Sequence, residues 1–140
     1  MPKVLIGDHE RYTRSAVSDT LGKNGYEVTA AANGAAVFAA LSNERIDLIL
    51  LDVAMTGMDG WEILTRLKEE SQTQSIPVIM LASFPTVDTE STGIRLGAAH
   101  VLAKPLNADS FLTTVRVVLR EAERAGREER RAPTGEERRV

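Results

Sequence analysis

The sequence contains no cysteine, and only 4% of its residues are aromatic. The absence of cysteine excludes a disulfide framework, a thiolate metal site and a cysteine nucleophile. No apolar run approaches the roughly 18–20 residues that a membrane-spanning helix needs. The formal net charge of -3 creates no positive field that attracts nucleic acid. The chain passes from Met1-Pro2-Lys3 directly into an apolar run, so no signal peptide is expected. We therefore expect a cytoplasmic domain without direct membrane or nucleic-acid contact.

Short apolar runs are present instead, and several end in a charged residue. One run ends at Asp8, a second at Asp52 and a third at Lys104, while a further run covers residues 77–82. Runs of this length are typical of strands that are buried on both faces of a parallel sheet. Between them lie segments with helical spacing, one of which begins after Asp59, a residue type that caps helices.

The alternation of strands and helices, repeated five times, predicts an α/β fold. We expect a flavodoxin-like, doubly wound, five-stranded parallel sheet of order 2-1-3-4-5 with helices on both faces. The last helix is predicted to run from Ala108 to about Arg124. We assign residues 1–123 to this domain and residues 124–140 to a charged tail that is predicted to be disordered. A partner-binding segment or a linker to an output domain is the alternative for the tail.

Parallel strands bring their carboxyl ends to one edge of the sheet, which is where ligands bind in such folds. We therefore expect Asp8, Asp52 and Lys104 to meet there. A carboxylate can attack phosphorus and form an aspartyl phosphate, and Asp52 is the candidate nucleophile. Asp8 and the backbone carbonyl of Ala54 are candidate ligands for a hard divalent cation. Lys104 is a candidate point charge for holding the phosphoryl group.

Four motifs in this order resemble the receiver domain of bacterial two-component response regulators. They are Lys-Val-Leu-Ile-Gly-Asp8, Leu-Asp52-Val-Ala-Met-Thr-Gly-Met-Asp-Gly60, Ile-Pro-Val-Ile-Met-Leu81 and Lys104-Pro105. The resemblance covers about residues 1–123. It implies phosphotransfer to Asp52 from a histidine kinase or phosphotransfer protein, Mg²⁺ as cofactor, and a cis peptide bond before Pro105. It also implies a switch that controls a protein-interaction surface rather than an enzyme.

The sequence departs from the pattern of this family at several positions. Receivers usually carry two adjacent acids after the first strand, and here the second is His9. The hydroxyl residue after the fourth strand is Ala82, and the neighbouring Ser83 points elsewhere if the strand stays extended. The switch aromatic is Val101, and the usual loop proline is Thr56. We therefore expect weak Mg²⁺ binding, with Mn²⁺ or no metal as alternatives. A protein-binding module that works without phosphorylation is the alternative function.

Other residues near the predicted site leave several interpretations open. His9 is a solvent-facing turn residue, a partner of Asp52 in place of metal, or a ligand for a softer divalent metal. Glu10 is a candidate replacement for the missing acid. Phe84-Pro85 either projects as an apolar contact for a partner or packs within its loop. Trp61 is predicted to pack against the sheet, with a partner site as the alternative.

Two enzyme classes are disfavoured by the same residues. A phosphatase of the haloacid dehalogenase type needs an acid two residues after its nucleophile, and that position is Ala54. A flavin-binding module needs a phosphate-binding loop after the first strand, where Asp8-His9-Glu10 would repel phosphate. The output partner is not identified by any motif, and a monomer or weak homodimer is expected.

Overall fold

The computed structural model describes residues 1–131, in which five strands alternate with five helices. The strands are β1 (Lys3–Gly7), β2 (Glu27–Ala31), β3 (Leu48–Asp52), β4 (Val78–Ser83) and β5 (His100–Lys104). The helices are α1 (Arg11–Gly22), α2 (Gly34–Asn43), α3 (Gly60–Glu69), α4 (Val87–Arg95) and α5 (Ala108–Arg131). All neighbouring strands are parallel, and the sheet order is β2-β1-β3-β4-β5. The predicted fold is confirmed.

Each face of the sheet has its own hydrophobic core, because successive side chains of a strand point to opposite faces. Leu48 and Leu50 of β3 pack on the face covered by α1 and α5, together with Val17 and Phe111. Ile49 and Leu51 pack on the other face, which α2 and α3 cover, together with side chains such as Ile63. The fully buried β3 therefore lies at the centre of the domain.

Helix α5 is longer than the sequence analysis predicted. The expected end at about Arg124 was wrong, because the helix continues to Arg131. Its buried side chains lie in the first half and are Phe111, Leu112, Val115 and Val118. The later turns contain mainly Glu, Arg and Ala, which are strong helix formers and can extend a helix into solvent. Residues 124–131 are therefore helical, and the remainder of the predicted tail, 132–140, lies outside the described residues.

The register of the strands sets the position of the charged residues. Gly7 pairs with Leu51 and Ser83 pairs with Lys104, so these strands end at the same edge. Asp8 follows β1 directly, next to the end of β3. Within residues 1–131, no helix has the length and apolar character to cross a membrane.

Candidate functional site

Two buried carboxylates and one lysine meet at the carboxyl edge of the sheet. Asp8 is 0% exposed and Asp52 is 2% exposed. The amine of Lys104 lies 2.7 Å from Oδ2 of Asp8 and 3.3 Å from Oδ1 of Asp52, and its side chain is 7% exposed. The structure therefore brings together the three residues that the strand pattern predicted to meet at this edge. We call the site that Asp8, Asp52 and Lys104 form the acid pocket.

Asp52 is held by hydrogen bonds on both carboxylate oxygens. The backbone N–H of Ala54 donates to Oδ1 at 3.0 Å, and that of His9 donates to Oδ2 at 3.2 Å. Nδ1 of the His9 ring also contacts Oδ2. Burial acts to raise the pKa of Asp52, but the hydrogen bonds from His9 and Ala54 outweigh it and lower the pKa below its ordinary value. Asp52 is consequently ionised at neutral pH, the form in which a carboxylate acts as a nucleophile.

Asp8 has the opposite electrostatic balance. Burial raises the pKa of Asp8, and the nearby charge of Asp52 raises it further, against the lowering effect of Lys104 and of the Glu10 backbone N–H. That N–H donates to Oδ1 at 2.8 Å, and Oδ2 is paired with the Lys104 amine at 2.7 Å. Arg14 donates to the Asp8 carbonyl at 2.9 Å. Nothing in the sequence had pointed to Arg14.

Lys104 also pairs with Glu10, whose Oε1 lies 3.0 Å from the amine. Burial lowers the pKa of Lys104, but hydrogen bonds with Asp8 and Glu10 raise it above its ordinary value. The lysine therefore stays charged at neutral pH. The following Lys104–Pro105 peptide bond is cis, the isomer that the family resemblance implied. Glu10 thus contacts the lysine of the pocket, a contact that its position in the turn did not predict.

His9 lies over Asp52 at the mouth of the pocket. Its side chain is 40% exposed, yet its ring contacts the Asp52 carboxylate. His9 is thus exposed in the turn, as one interpretation expected, and it also pairs with Asp52, as another expected. The turn after β1 directs the ring inward, because the backbone N–H of the same residue also bonds to Asp52. His9 and the Glu10–Lys104 pair together leave Asp52 only 2% exposed.

The positions of the family's switch residues are filled by smaller groups. Ala82 is buried in β4, while Ser83 is exposed at the strand end. Val101 is half-buried beside Gly93 of α4, and a Cβ added at Gly93 would lie 2.6 Å from Cγ2 of Val101 and 3.6 Å from the Trp61 ring. The space beneath α4 is thus occupied by Val101 and the indole, consistent with the predicted packing of Trp61.

Gly60 is a structural requirement of the site that the sequence analysis did not single out. A Cβ on Gly60 would lie 2.1 Å from the backbone oxygen of Asp52 and 2.7 Å from Cα of Val53. Its N–H donates to the carbonyl of Val53 at 2.8 Å, and the preceding Asp59 caps α3 as predicted, accepting a bond from the Glu62 N–H. Only glycine allows α3 to begin this close to the end of β3.

An apolar cleft lies beside the acid pocket. It has a volume of about 310 Å³ and is bordered by α1, the loop after β4 and the start of α5. Tyr12 and Phe84 stand at its rim with 79% and 92% of their surfaces exposed. Phe84 has a φ of 51°, in the left-handed region that non-glycine residues seldom adopt. The side chain projects outward, so the alternative that it packs within its own loop was wrong.

The donor atoms of the pocket fit Mg²⁺ only in part. The carboxylates of Asp8 and Asp52 are hard oxygen ligands, which Mg²⁺ prefers. The position of a third oxygen ligand is taken by the imidazole nitrogen of His9, which suits later transition metals better.

Comparison with known proteins identifies the family. Residues 4–116 match the response regulator receiver domain family. Sporulation initiation phosphotransferase F of Bacillus subtilis is 35% identical over 117 residues, covering 84% of this chain and 93% of that protein. The transcriptional regulator RpaA of a Synechocystis species is 33% identical over 124 residues, covering 89% of this chain. The chain spans only 52% of the length of RpaA, so it corresponds to about half of that regulator.

The solved structures include the chemotaxis protein CheY4 of Vibrio cholerae, which superimposes with a TM-score of 0.80 at 36% identity. That match covers 84% of this chain and 98% of CheY4. The family match over residues 4–116 includes β2 to β5, all of β1 except Lys3, and the pocket at the edge of the sheet. The chain belongs to the response regulator receiver domain family of two-component signalling.

Proposed function

We propose that this chain accepts a phosphoryl group on Asp52 from a histidine kinase or phosphotransfer protein and thereby changes a protein-interaction surface. The observation that supports this most directly is the meeting of Asp8, Asp52 and Lys104 at one edge of the sheet. Asp52 is the ionised carboxylate of the pair, which suits a nucleophile. We propose a histidine kinase or phosphotransfer protein as the partner, and the cytoplasm as the location, because the chain belongs to the receiver domain family.

The transfer would exchange one phosphorus bond for another. A carboxylate oxygen of Asp52 attacks the phosphorus of a phosphohistidine, a P–O bond forms, and the P–N bond breaks with its electron pair kept by the donor imidazole. Lys104 lies close enough to Asp52 to hold a phosphoryl oxygen as a point charge. The N–H of Ala54 already orients the carboxylate. Ala82 offers no hydroxyl for the remaining phosphoryl oxygens. The next residue, Ser83, has a hydroxyl, but it is exposed at the end of β4.

A divalent cation would offset the negative charge that accumulates in this reaction. The receiver family typically binds Mg²⁺. In this chain the candidate ligands are Asp8, Asp52, the backbone carbonyl of Ala54 and the ring of His9. Because His9 supplies nitrogen where an oxygen ligand is usual, we expect Mg²⁺ to bind weakly, with Mn²⁺ as a better-accepted alternative.

Access to Asp52 requires a local movement. His9 covers the carboxylate, and Glu10 holds the lysine, so both side chains must turn aside before a donor reaches the site. Their outer surfaces are exposed, which leaves room for this rotation. The rim residues Tyr12 and Phe84 offer an apolar contact for the donor protein next to the pocket.

The surface that responds is expected to consist of α4, β5 and α5. Added charge at Asp52 would act on the loop after Ala82, which leads into α4. Val87 and Ile94 of α4 are 78% and 57% exposed and are candidates for contact with an output partner. Val101 replaces the aromatic residue of the family at the base of this surface. We expect the chain to be a monomer or a weak homodimer.

Phosphotransfer can be tested with acetyl phosphate and with a phosphorylated histidine kinase, each with Mg²⁺ or Mn²⁺. We expect intact-protein mass spectrometry to show the gain of one phosphoryl group in the unaltered chain and none in Asp52→Asn. His9→Ala should be phosphorylated faster, because the cover over Asp52 is removed. Absence of the adduct from both the unaltered chain and His9→Ala, with every donor and metal, would contradict the proposal.

The contact between His9 and Asp52 also favours a second candidate, a receiver that binds its partner without phosphorylation. In that case the unphosphorylated pocket is already a closed structure, in which His9 covers Asp52. Amide spectra recorded by NMR with and without beryllofluoride distinguish the two. Shifts that extend from the pocket into α4 and β5 support the phosphorylation switch, whereas bound beryllofluoride without shifts beyond the pocket supports the second candidate.

A further inference from the structure

The mouth of the acid pocket contains one imidazole nitrogen among carboxylate oxygens. One potential ligand atom from each of Asp8, His9 and Glu10 lies within 4.8 Å of the others. Nδ1 of His9 is 3.9 Å from Oδ1 of Asp8 and contacts Oδ2 of Asp52. Asp8, His9 and Glu10 therefore offer one nitrogen and two oxygens close together, and an Asp52 oxygen adjoins the same nitrogen.

This group of side chains is not confined to the surface, because it combines two buried carboxylates with two exposed side chains. Asp8 and Asp52 are buried, and the Lys104 amine contacts both carboxylates, at 2.7 Å and 3.3 Å. His9 and Glu10 are exposed on their outer sides, with 40% and 45% of their side chains accessible. The inner ligands are thus fixed by the sheet, while the outer ligands lie on a path from solvent.

The chemistry of the donors distinguishes between classes of divalent cation. Mg²⁺ needs a nearly complete shell of oxygen ligands and loses its water reluctantly. Imidazole nitrogen suits Zn²⁺, Co²⁺ and Ni²⁺, and affinity for a mixed nitrogen and oxygen site rises along the first-row series. His9 is already in contact with Asp52, so the nitrogen and one oxygen are adjacent before any metal arrives.

We propose that Asp8, His9 and Asp52, with Glu10 as an outer ligand, form a site that prefers Zn²⁺ and related late first-row cations over Mg²⁺. The inference rests on the metal role of Asp8 and Asp52 in the proposed function, but it does not depend on phosphoryl transfer. Zinc binding would draw His9 and Glu10 together over Asp52. Glu10 would then break its ion pair with Lys104, because its carboxylate would turn toward the zinc ion.

The test is isothermal titration of the full, untagged chain with ZnCl₂ and separately with MgCl₂. We expect Zn²⁺ to bind at least about 100-fold more tightly than Mg²⁺, in keeping with the preference of imidazole-containing sites. In His9→Asp this ratio should fall by at least about 10-fold, because the nitrogen ligand is replaced by oxygen. The matched control is His100→Asn, which alters the only other histidine, on the exposed start of β5, and should leave the ratio unchanged.

A second measurement uses the unaltered protein and so does not depend on how the variants fold. Nitrogen NMR of the histidine rings should show that Zn²⁺ shifts the His9 ring and leaves the His100 ring in place. Equal affinities for Zn²⁺ and Mg²⁺, a ratio unaffected by His9→Asp, or a zinc-induced shift at His100 alone would overturn the proposal. These titrations contain no phosphodonor, so their failure is distinct from a failure of phosphotransfer to Asp52.

Discussion

At the scale of single residues, the pocket depends on a charge balance between two acids and one lysine. Asp8 and Asp52 are both buried, and Lys104 is the base that contacts both of them. Two adjacent carboxylates in a protein interior repel one another and lose hydration. The lysine therefore stabilises the fold as well as the site, and its removal should have a consequence that depends on pH.

We expect Lys104→Met to lower the free energy of unfolding at pH 7 by about 3–5 kcal/mol, the range for removing one partner of a buried ion pair. The loss should shrink toward pH 4, because Asp8, whose pKa is raised, becomes protonated and no longer needs the lysine, whereas Asp52 stays ionised. Urea unfolding across this pH range measures the effect. Lys68→Met is the control, because the Lys68 amine donates only to backbone carbonyls of Gln74 and Ile76. A loss in Lys104→Met that does not vary with pH would contradict the prediction.

Asp8→Asn should act in the opposite direction. Burial raises the pKa of Asp8 above its ordinary value of 3.8, so its charged form opposes folding. The stability of the unaltered protein should therefore fall as pH rises from about this value through the raised pKa. At pH 7 we expect Asp8→Asn to be more stable than the unaltered protein, because the neutral amide carries no charge that must be buried.

Thermal or urea unfolding at pH 3 and pH 7 tests this, and the advantage of Asp8→Asn should be absent at the lower pH. Asp19→Asn serves as the control, because Asp19 is exposed in α1 and its replacement should change stability by less than about 0.5 kcal/mol. A variant Asp8→Asn that is less stable than the unaltered protein at pH 7 would show that the Lys104 ion pair outweighs the burial of Asp8.

The sequence could predict some contacts of the pocket and not others, for a physical reason. Asp8, Asp52 and Lys104 follow buried strands, and strand pairing determines where such residues lie. His9 and Glu10 belong to a turn, where the direction of a side chain depends on local backbone angles and on its hydrogen-bond partners. The sequence therefore left the contact of His9 with Asp52 open among alternatives and gave no sign of the contact between Glu10 and Lys104.

At the scale of secondary-structure elements, the junction between β3 and α3 fixes the position of Asp52. The backbone of Gly60 lies so close to Asp52 that a methyl group would overlap the Asp52 carbonyl, 2.1 Å from the position of a Cβ. We expect Gly60→Ala to destabilise the protein by roughly 1–3 kcal/mol or more through overpacking. The same displacement should move Asp52 and slow phosphorylation.

Chemical unfolding and the rate of acetyl phosphate labelling measure the two effects of Gly60→Ala. Gly22→Ala is the matched control, because a Cβ at Gly22 would meet nothing within 4 Å and the residue ends a helix. It should be neutral or stabilising by up to about 1 kcal/mol. Equal stability of the two variants would mean that the β3–α3 junction relaxes more easily than its close contact suggests.

Element boundaries were predictable where a cap or a burial pattern marks them. Asp59 begins α3 as expected from its residue type and position. The end of α5 has no such mark, since Glu, Arg and Ala continue the helix without a buried face. Its solvated turns therefore looked like a disordered segment in the sequence, although high helix propensity maintains them.

At the scale of the whole molecule, the proposed response to phosphorylation would have to pass from the pocket to α4. Trp61 is the single tryptophan of the chain and packs close to Gly93 and Val101 beneath that helix. We expect beryllofluoride with a divalent cation to change the intensity or wavelength of its emission, because a shift of α4 alters the surroundings of the indole. Asp52→Asn should show no change. Unchanged emission while fluorine NMR shows bound beryllofluoride would contradict this route.

The fold and the location of the site were predictable because strand burial and helix spacing repeat along the chain. The surface proposed to respond to phosphorylation was harder to predict from the sequence, because it depends on how Trp61, Gly93 and Val101 pack against one another. Residues from three elements meet there, and no local pattern records their fit.

The order of the strands along the chain also sets the order in which the pocket residues are synthesised. Asp8 follows β1 and Asp52 ends β3, whereas Lys104 ends β5. A ribosome releases both acids before the lysine. A polypeptide whose translation stops before β5 thus has unneutralised acids side by side and no edge strand beside β4. Such a chain lacks the charge that contacts both acids in the complete domain, so we expect it to be a poorer phosphoryl acceptor.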